Sequence, residues 1–249
     1  MKNITFKLSG LFFILLLWGC QKDTENISRI TYFPTFDYKG ESVVLHALGT
    51  PYTDPGCTAS EDGVELPITT SVVGESTGYK GTTVPVDIAD KYVITYSAIN
   101  SDGFPGIQER AVYVAKTGDL VNSIEGLYTS TVVRNGAAGP QYTNMKYIII
   151  SKASAKDYTV GCGIGAYYAI GRNYGSGYLS PVSITANDIP ANDFSYAPFE
   201  VGTFGGPARV TAFSVDAATK TVSLNSEWSS ANNGTYNFKF VITLNQVQF

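Results

Sequence analysis

The chain has 249 residues, 15% of them charged, a net charge of −4 and a single histidine. An acidic chain with no Lys/Arg cluster speaks against a nucleic-acid partner and against an electrostatic hold on anionic lipid. Gly, Ser, Thr, Asn and Tyr are plentiful and long apolar helical patterns are missing after Leu17. That is the composition of an extracellular all-β protein with turn-rich loops.

At the start, Lys2 and Lys7 precede and enter an apolar run from Leu8 to Trp18, too short to span a bilayer permanently. Residues 1–19 read as a signal peptide. The end of that run, Leu17-Trp18-Gly19-Cys20, resembles the lipobox of bacterial lipoproteins. The resemblance implies diacylglycerol on the Cys20 thiol and cleavage before it, giving a membrane partner through lipid. Trp18 departs from the small residue commoner at its position, and the alternative is a plain signal peptide with an incidental cysteine. Cleavage removes two lysines and no acid, leaving 15 basic and 21 acidic residues and a net charge of −6.

Residues 20–27 read as a lipidated tether. Gln21-Lys22-Asp23-Thr24-Glu25 resembles a surface-export signal of a Gram-negative phylum rich in polysaccharide degraders. The expected location is the outer membrane, lipid-anchored and facing the cell exterior. A solvated tether is the alternative reading of the same five residues.

The stretch 28–117 reads as the first folded domain. Ser42–Leu48 is expected as a strand buried on one or both faces, closed by Gly49-Thr50-Pro51. Tyr92–Ala98 alternates Tyr92/Ile94/Tyr96/Ala98 against Val93/Thr95/Ser97, and Asn100-Ser101-Asp102-Gly103 supplies a turn. Arg110–Val114 is the next strand. Short strands at this spacing predict a sandwich. Three motifs in order carry a resemblance: Tyr52-Thr53-Asp54-Pro55-Gly56-Cys57-Thr58-Ala59, then Tyr92–Ala98 with Asp102-Gly103, then Arg110-Ala111-Val112-Tyr113-Val114. They look like the bacterial immunoglobulin-like domain of surface proteins. Lys91 and Phe104-Pro105 depart from its pattern, which puts only the hairpin loop in doubt. Such modules mostly serve as spacers and protein-contact surfaces.

A polar break at Lys116-Thr117-Gly118-Asp119 precedes the second domain, 118–249. Strands are predicted at Leu127–Arg134, Tyr147–Ile150, Asp157–Gly161, Val182–Ala186, Ala208–Val215 and Thr221–Leu224, with a turn at Asp216–Lys220. The last, Tyr236–Leu244, sets Tyr236/Phe238/Phe240/Ile242/Leu244 against Asn237/Lys239/Val241/Thr243, an apolar face for the core and a mostly polar one for water. An antiparallel meander curling into a barrel or flattened sandwich is expected. The Ile124–Thr129 start, the Gly/Tyr-rich centre and the Trp228–Phe240 end resemble the carboxy-terminal domain of a family of surface lipoproteins. These have the same order of lipobox, immunoglobulin-like domain and β domain. The resemblance implies an accessory role beside Sus-type outer-membrane nutrient importers that take up glycans or peptides.

Candidates for chemistry are few. His46 stands mid-strand with no Cys, Asp or Glu at metal-ligand spacing and reads as a hydrogen-bonded strand histidine, which removes Ser-His-Asp and Cys-His catalysis. Gly161-Cys162-Gly163-Ile164-Gly165 is followed by Ala166–Ile170, read as strand, so these glycines are expected to permit a bulge or close packing. Cys57 and Cys162 are expected as two separate buried thiols. Glu200, Glu227, Asp188, Asp193 and Asp216 supply carboxylates for a hydrolase, but sequence spacing cannot pair them. Asn187-Asp188 and Asn192-Asp193 around Pro190 read as a turn before a calcium loop, and no metal or cofactor is expected. The strongest hint is aromatic. Tyr167, Tyr168, Tyr174 and Tyr178 lie among glycines, and Phe194, Tyr196, Phe199 and Phe204 lie in a Pro/Gly/Asp loop. Either they stack on a sugar or peptide, with Tyr168, Tyr174, Tyr178 and Arg172 as the ligand-binding set, or they fill the barrel and pack its ends. A non-catalytic binding lipoprotein is the leading reading; a structural adhesion or spacer protein and a two-carboxylate hydrolase are its rivals.

Overall fold

The structure, a computed structural model, describes residues 30–231 and 233–249. The expected signal peptide (1–19), Cys20 and the tether (20–27) lie outside the described residues. The chain is all-β, with an immunoglobulin-like first domain and a curled nine-stranded sheet as the second.

In the first domain, β1 (Thr35–Tyr38), β3 (Cys57–Glu61) and β4 (Val64–Leu66) form one sheet. The facing sheet contains β2 (Val43–Ala47), β5 (Thr69–Gly74), β6 (Lys80–Gly81), β7 (Asp90–Ile99) and β8 (Pro105–Ala115), in the order β2-β8-β7-β5-β6. Alternation along β7 is realised as expected: Tyr92, Ile94, Tyr96 and Ala98 are buried while Lys91, Val93, Thr95 and Ser97 are half-buried. Tyr92, Ile94 and Tyr96 form the core with Val72, Val112 and Val114, against which Phe36, Tyr38 and Cys57 of the other sheet pack. The stretch 42–48 differs from expectation. β2 is an edge strand paired parallel to β8 alone, so Val43 and Ala47 are exposed and Val44, Leu45 and His46 only half-buried.

The second domain is one antiparallel sheet. Its strands are β9 (Gly126–Arg134), β10 (Met145–Lys152), β11 (Asp157–Val160), β12 (Val182–Asp188), β13 (Asp193–Tyr196), β14 (Phe199–Glu200), β15 (Pro207–Asp216), β16 (Thr221–Trp228) and β17 (Phe238–Gln246). Their order is β13-β12-β11-β10-β9-β17-β16-β15-β14, two meanders joined where the first strand pairs with the last. Ala197 and Pro198 alone connect the two edge strands, which holds those edges within about 11 Å of each other. Val215 N also donates to Asn192 Oδ1 (2.6 Å) across the gap, so the sheet closes on itself as a barrel with a seam. Phe240, Ile242 and Leu244 of β17 point into the barrel beside Val132, Leu224 and Val222, each side chain contributing roughly 1.5–3 kcal/mol by burial. The last strand starts two residues later than predicted, at Phe238. Phe194 and Phe199, expected in a loop, are buried on the short strands β13 and β14 that border the seam.

The polar break between the domains is a pinned turn. Asp119 Oδ1 accepts the backbone N–H groups of Val121, Asn122 and Ser123 (2.9, 2.7 and 3.1 Å), which hold its carboxyl well below the usual range. Gly118 has no room for a Cβ, which would lie 2.4 Å from Ser123 O. Gln246 Nε2 donates to Gly118 O and Glu125 O (2.9 and 3.2 Å), tying the last strand to this turn. Beside it, Tyr113 and Ala115 of the first domain pack with Leu127, Tyr147 and Ile149 of the second, the Tyr113 and Tyr147 rings meeting edge-on at 5.0 Å.

Candidate functional site

The expected strand at Ala166–Ile170 is instead a π-helical turn, Tyr167–Gly171. Gly165 and Ala166 both adopt left-handed backbone (φ +66° and +60°), which turns the chain out of the strand direction. A Cβ on Gly165 would come within 2.5 Å of Val132, so the chain can make this turn against the barrel wall only with glycine there. Cys162 and Gly163 are packed likewise, and burial pushes the Cys162 thiol up. Both Cys57 and Cys162 are free; Cys162 is buried, whereas Cys57, the first residue of β3, is only half-buried.

The turn feeds a wide loop. Tyr174 N donates to Tyr168 O (3.1 Å), Gly175 N to Ala169 O (3.1 Å), and a 3-10 turn follows at Ser176–Tyr178. A second 3-10 turn, Gly202–Phe204, docks on it through Thr203 Oγ1 to Gly177 O (2.8 Å). Gly202 lies so close that a Cβ would approach Tyr178 Cα to 2.6 Å. Two loops distant in sequence are thereby fixed together over one end of the barrel.

Their rings form a layered cluster. Tyr174 and Phe204 are 50% and 47% exposed, and half-buried Tyr178 lies between them, with centroids at 5.1 and 4.8 Å. Beneath them Tyr168, 7% exposed, stacks parallel to Tyr174 at 6.1 Å and edge-on to Phe204 at 4.9 Å. Buried Trp228 closes the floor, fixed by its Nε1 donating to Gly205 O (2.9 Å) and by stacking on Phe238 at 5.1 Å. Of the four residues expected to bind, Tyr174 and Tyr178 reach the surface, Tyr168 is floor, and Arg172 stands beside the cluster.

Arg172 is exposed, with its guanidinium 5.9 and 5.8 Å from the Tyr142 and Tyr167 rings, which stack on each other at 4.1 Å. A hydrogen bond to the Tyr167 hydroxyl raises its already high pKa. Burial first, then the Tyr142 hydroxyl, push the Tyr167 hydroxyl up. Arg134, at the end of β9, has no motif around it that marks it in the sequence. It lies over the Tyr167 ring at 4.7 Å and donates to the Tyr168 hydroxyl (3.0 Å), holding the floor in place. Phe204 and Trp228 complete the platform, and nothing in the sequence pairs them with Tyr174.

The remaining candidates are structural in their contacts. His46 Nε2 hydrogen-bonds with Thr50 O (2.9 Å) and Thr50 Oγ1 (3.0 Å), and its ring meets Tyr52 edge-on. Glu227 is engaged by Arg209 (2.7 Å) and Lys239 (3.7 Å); the Arg209 hydrogen bond holds its carboxyl below the usual range, which unsuits it as a general acid. Asp188 accepts Ala191 N, Asp216 accepts Ala218 N and Thr219 N, and Asp193 accepts from Asn187, all within turns or between neighbouring strands. Glu200 is exposed at the seam. Among the described residues no group of three or more His, Cys, Asp or Glu is placed to hold a metal ion.

A family model for a bacterial surface protein Ig-like domain matches residues 36–114, and a second, for a C-terminal domain, matches residues 117–246. No curated protein matches the chain. The chain is similar in fold to the crystal structure of the lipoprotein BT2262 from Bacteroides thetaiotaomicron, with a TM-score of 0.61 and 22% identity over 86% of this chain and 100% of that one. The chain belongs to the family that this carboxy-terminal domain defines, here preceded by an immunoglobulin-like domain of the bacterial surface type.

Proposed function

We propose that the protein is a non-catalytic lipoprotein, anchored through Cys20 in the outer membrane and facing the cell exterior, which binds a glycan or peptide at the Tyr174/Phe204/Tyr178 platform. The carrying observation is that two large rings stand half in water on a floor fixed by packing and hydrogen bonds. Aromatic faces held in this way meet the apolar face of a sugar ring or a peptide side chain with little ordering cost. Arg172 offers a charge at the rim for an anionic substituent. The lipobox-like start and the fold shared with a Bacteroides lipoprotein support the anchor. Service as an accessory to a Sus-type importer extends the same reading: bound nutrient would be held near the channel that takes it up.

Binding of the purified protein to arrays of oligosaccharides and peptides tests this, followed by titration of Tyr174→Ala and Phe204→Ala. Loss of the bound ligand in both variants with unchanged melting supports the platform. A protein that binds neither class, yet pulls down a specific surface protein through its first domain, is a spacer instead.

A further inference from the structure

Charge is sorted along the barrel of the second domain. At the end away from the aromatic platform, Asp157, Asp188, Asp193 and Asp216 border the β10–β11, β12–β13 and β15–β16 turns. The platform end is built from residues 135–144, 161–181, 201–206 and 229–237, which contain Arg172 and no Asp or Glu. Arg134 closes β9 at the same end. In a chain of net charge −4, the end that carries the exposed rings is therefore the one with a local excess of positive charge.

Neither of these arginines has a carboxylate partner among the described residues. Arg110 pairs with Asp54 and Arg209 with Glu227, whereas Arg134 lies over the Tyr167 and Phe238 rings and Arg172 beside Tyr142 and Tyr167. Of the acids bordering this end, Glu227 is held by Arg209 and Lys239. Glu75 of the first domain lines a cleft with Asn173 and Ser176, but Lys91 holds it at 2.7 Å and exposed Lys146 lines the same cleft. Glu200 alone stands without an ion pair, on the outer side of β14 opposite buried Phe199. The excess acts on Tyr142. Burial raises its hydroxyl, but hydrogen bonds with Tyr167 and Gln141 and the charges of Arg172 and Arg134 outweigh that and lower it below the ordinary phenol value.

Position couples this charge to the rings. Arg172 precedes Tyr174 by two residues, so their Cα atoms lie within about 7 Å, and the Tyr174 hydroxyl is near enough to raise the Arg172 pKa. One hydrogen bond, to the Tyr167 hydroxyl, orients the exposed Arg172 guanidinium and leaves the rest of its fork open. A pyranose lying flat on Tyr174 and Phe204 carries an equatorial carboxylate in the plane of its ring, sideways along the surface. A guanidinium beside the platform meets such a group with two parallel N–H···O bonds. An extended peptide would instead pair with free backbone donors at an edge. Here Tyr174 N, Gly175 N, Tyr178 N, Leu179 N and Gly205 N are all bonded within the loops.

We propose that the ligand of the platform is an acidic glycan, a uronic-acid oligosaccharide whose ring stacks on Tyr174 and Phe204 while its carboxylate pairs with Arg172. The inference rests on the platform reading above and names the class of sugar it takes. Arg134, fixed by its bond to the Tyr168 hydroxyl, adds to the positive field from beneath without touching the ligand.

Oligogalacturonate and a glucuronate oligosaccharide are titrated into the protein, each beside its methyl ester, which keeps the ring and removes the charge. Esterification of the tighter ligand is expected to weaken binding by the wild type about tenfold. Arg172→Gln should weaken the acid by the same factor and leave the ester unchanged, so that the variant no longer tells the two apart. Arg172→Lys, which keeps the charge without the planar fork, should restore part of the difference. Melting of both variants should match the wild type, because the side chain is exposed. Acid and ester bound equally by the wild type, or an Arg172→Gln variant that still prefers the acid, overturns the inference and leaves the platform standing. Binding of neutral glycans but of neither uronate does the same. Binding of no glycan, acidic or neutral, removes the platform reading and this inference with it. An acidic peptide or a sulfated glycan that binds where neither uronate does, and is weakened by Arg172→Gln, overturns the uronate assignment.

Discussion

Arg110 and Asp54, fifty-six residues apart in the chain, meet as an ion pair in which the guanidinium is completely buried. Tyr96 joins them, its hydroxyl donating to both Asp54 oxygens (2.8 and 2.7 Å), while Arg110 also donates to Lys39 O and Glu41 O (2.6 and 2.9 Å). The Asp, Tyr and Arg of three separate surface-domain motifs are therefore one network, and it clamps the β1–β2 and β2–β3 connections onto β7 and β8. A buried guanidinium deprived of its carboxylate loses far more than the net worth of the pair. Asp54→Ala is expected to cost roughly 2–4 kcal/mol in denaturant unfolding, somewhat below the fully buried case because the Asp54 side chain keeps 26% exposure. A cost under about 1 kcal/mol would mean that water replaces the carboxylate.

Stability should fall at alkaline pH. Burial first, then Asp90, push the Tyr92 hydroxyl up to about 12, and burial first, then Glu75, do the same for Tyr113. A folded-state value above the unfolded one near 10 leaves full stability below pH 10 and removes it as pH rises toward 12. Unfolding free energy measured from pH 8 to 12 should decline over that window. Phenylalanine at Tyr113, which touches both domains, should flatten the decline. An unchanged slope would place the loss elsewhere.

The layered cluster predicts opposite behaviour for neighbouring tyrosines. Tyr168→Ala removes a buried ring that touches four others and should cost roughly 3–5 kcal/mol of stability. Tyr174→Ala, at the surface, should change melting little. Equal losses in the two variants would make Tyr174 part of the core.

Glycine positions give a further check. Gly165→Ala meets both a positive φ and Val132 at 2.5 Å, and Gly118→Ala meets Ser123 O at 2.4 Å. Each should destabilise by about 1–3 kcal/mol, as overpacking does. Gly49→Ala has open space and is opposed only by its φ of +82°, so its cost should be smaller.

Much of the fold was legible because period-2 burial leaves a plain trace. Tyr92/Ile94/Tyr96/Ala98 and Phe238/Phe240/Ile242/Leu244 are read correctly from alternation alone. Ala166–Ile170 was not, since a short apolar run does not distinguish strand from turn and the left-handed Gly165-Ala166 step is a backbone property. The residues of Ser42–Leu48 mark a strand but not its place at an edge, which depends on its neighbours. The platform was half visible: glycine-flanked Tyr174 and Tyr178 stand out in sequence, whereas Phe204, Trp228 and Arg134 join them only through the closure of the barrel.

Titration of wild-type protein and Tyr174→Ala with an array-selected oligosaccharide or peptide, with melting followed on the same samples, tests the binding claim most directly. Saturable binding by the wild type is expected, weakened roughly five- to thirtyfold by Tyr174→Ala, about 1–2 kcal/mol, at an unchanged melting temperature. Equal affinity in the two proteins, or no saturable ligand in either class, would contradict it.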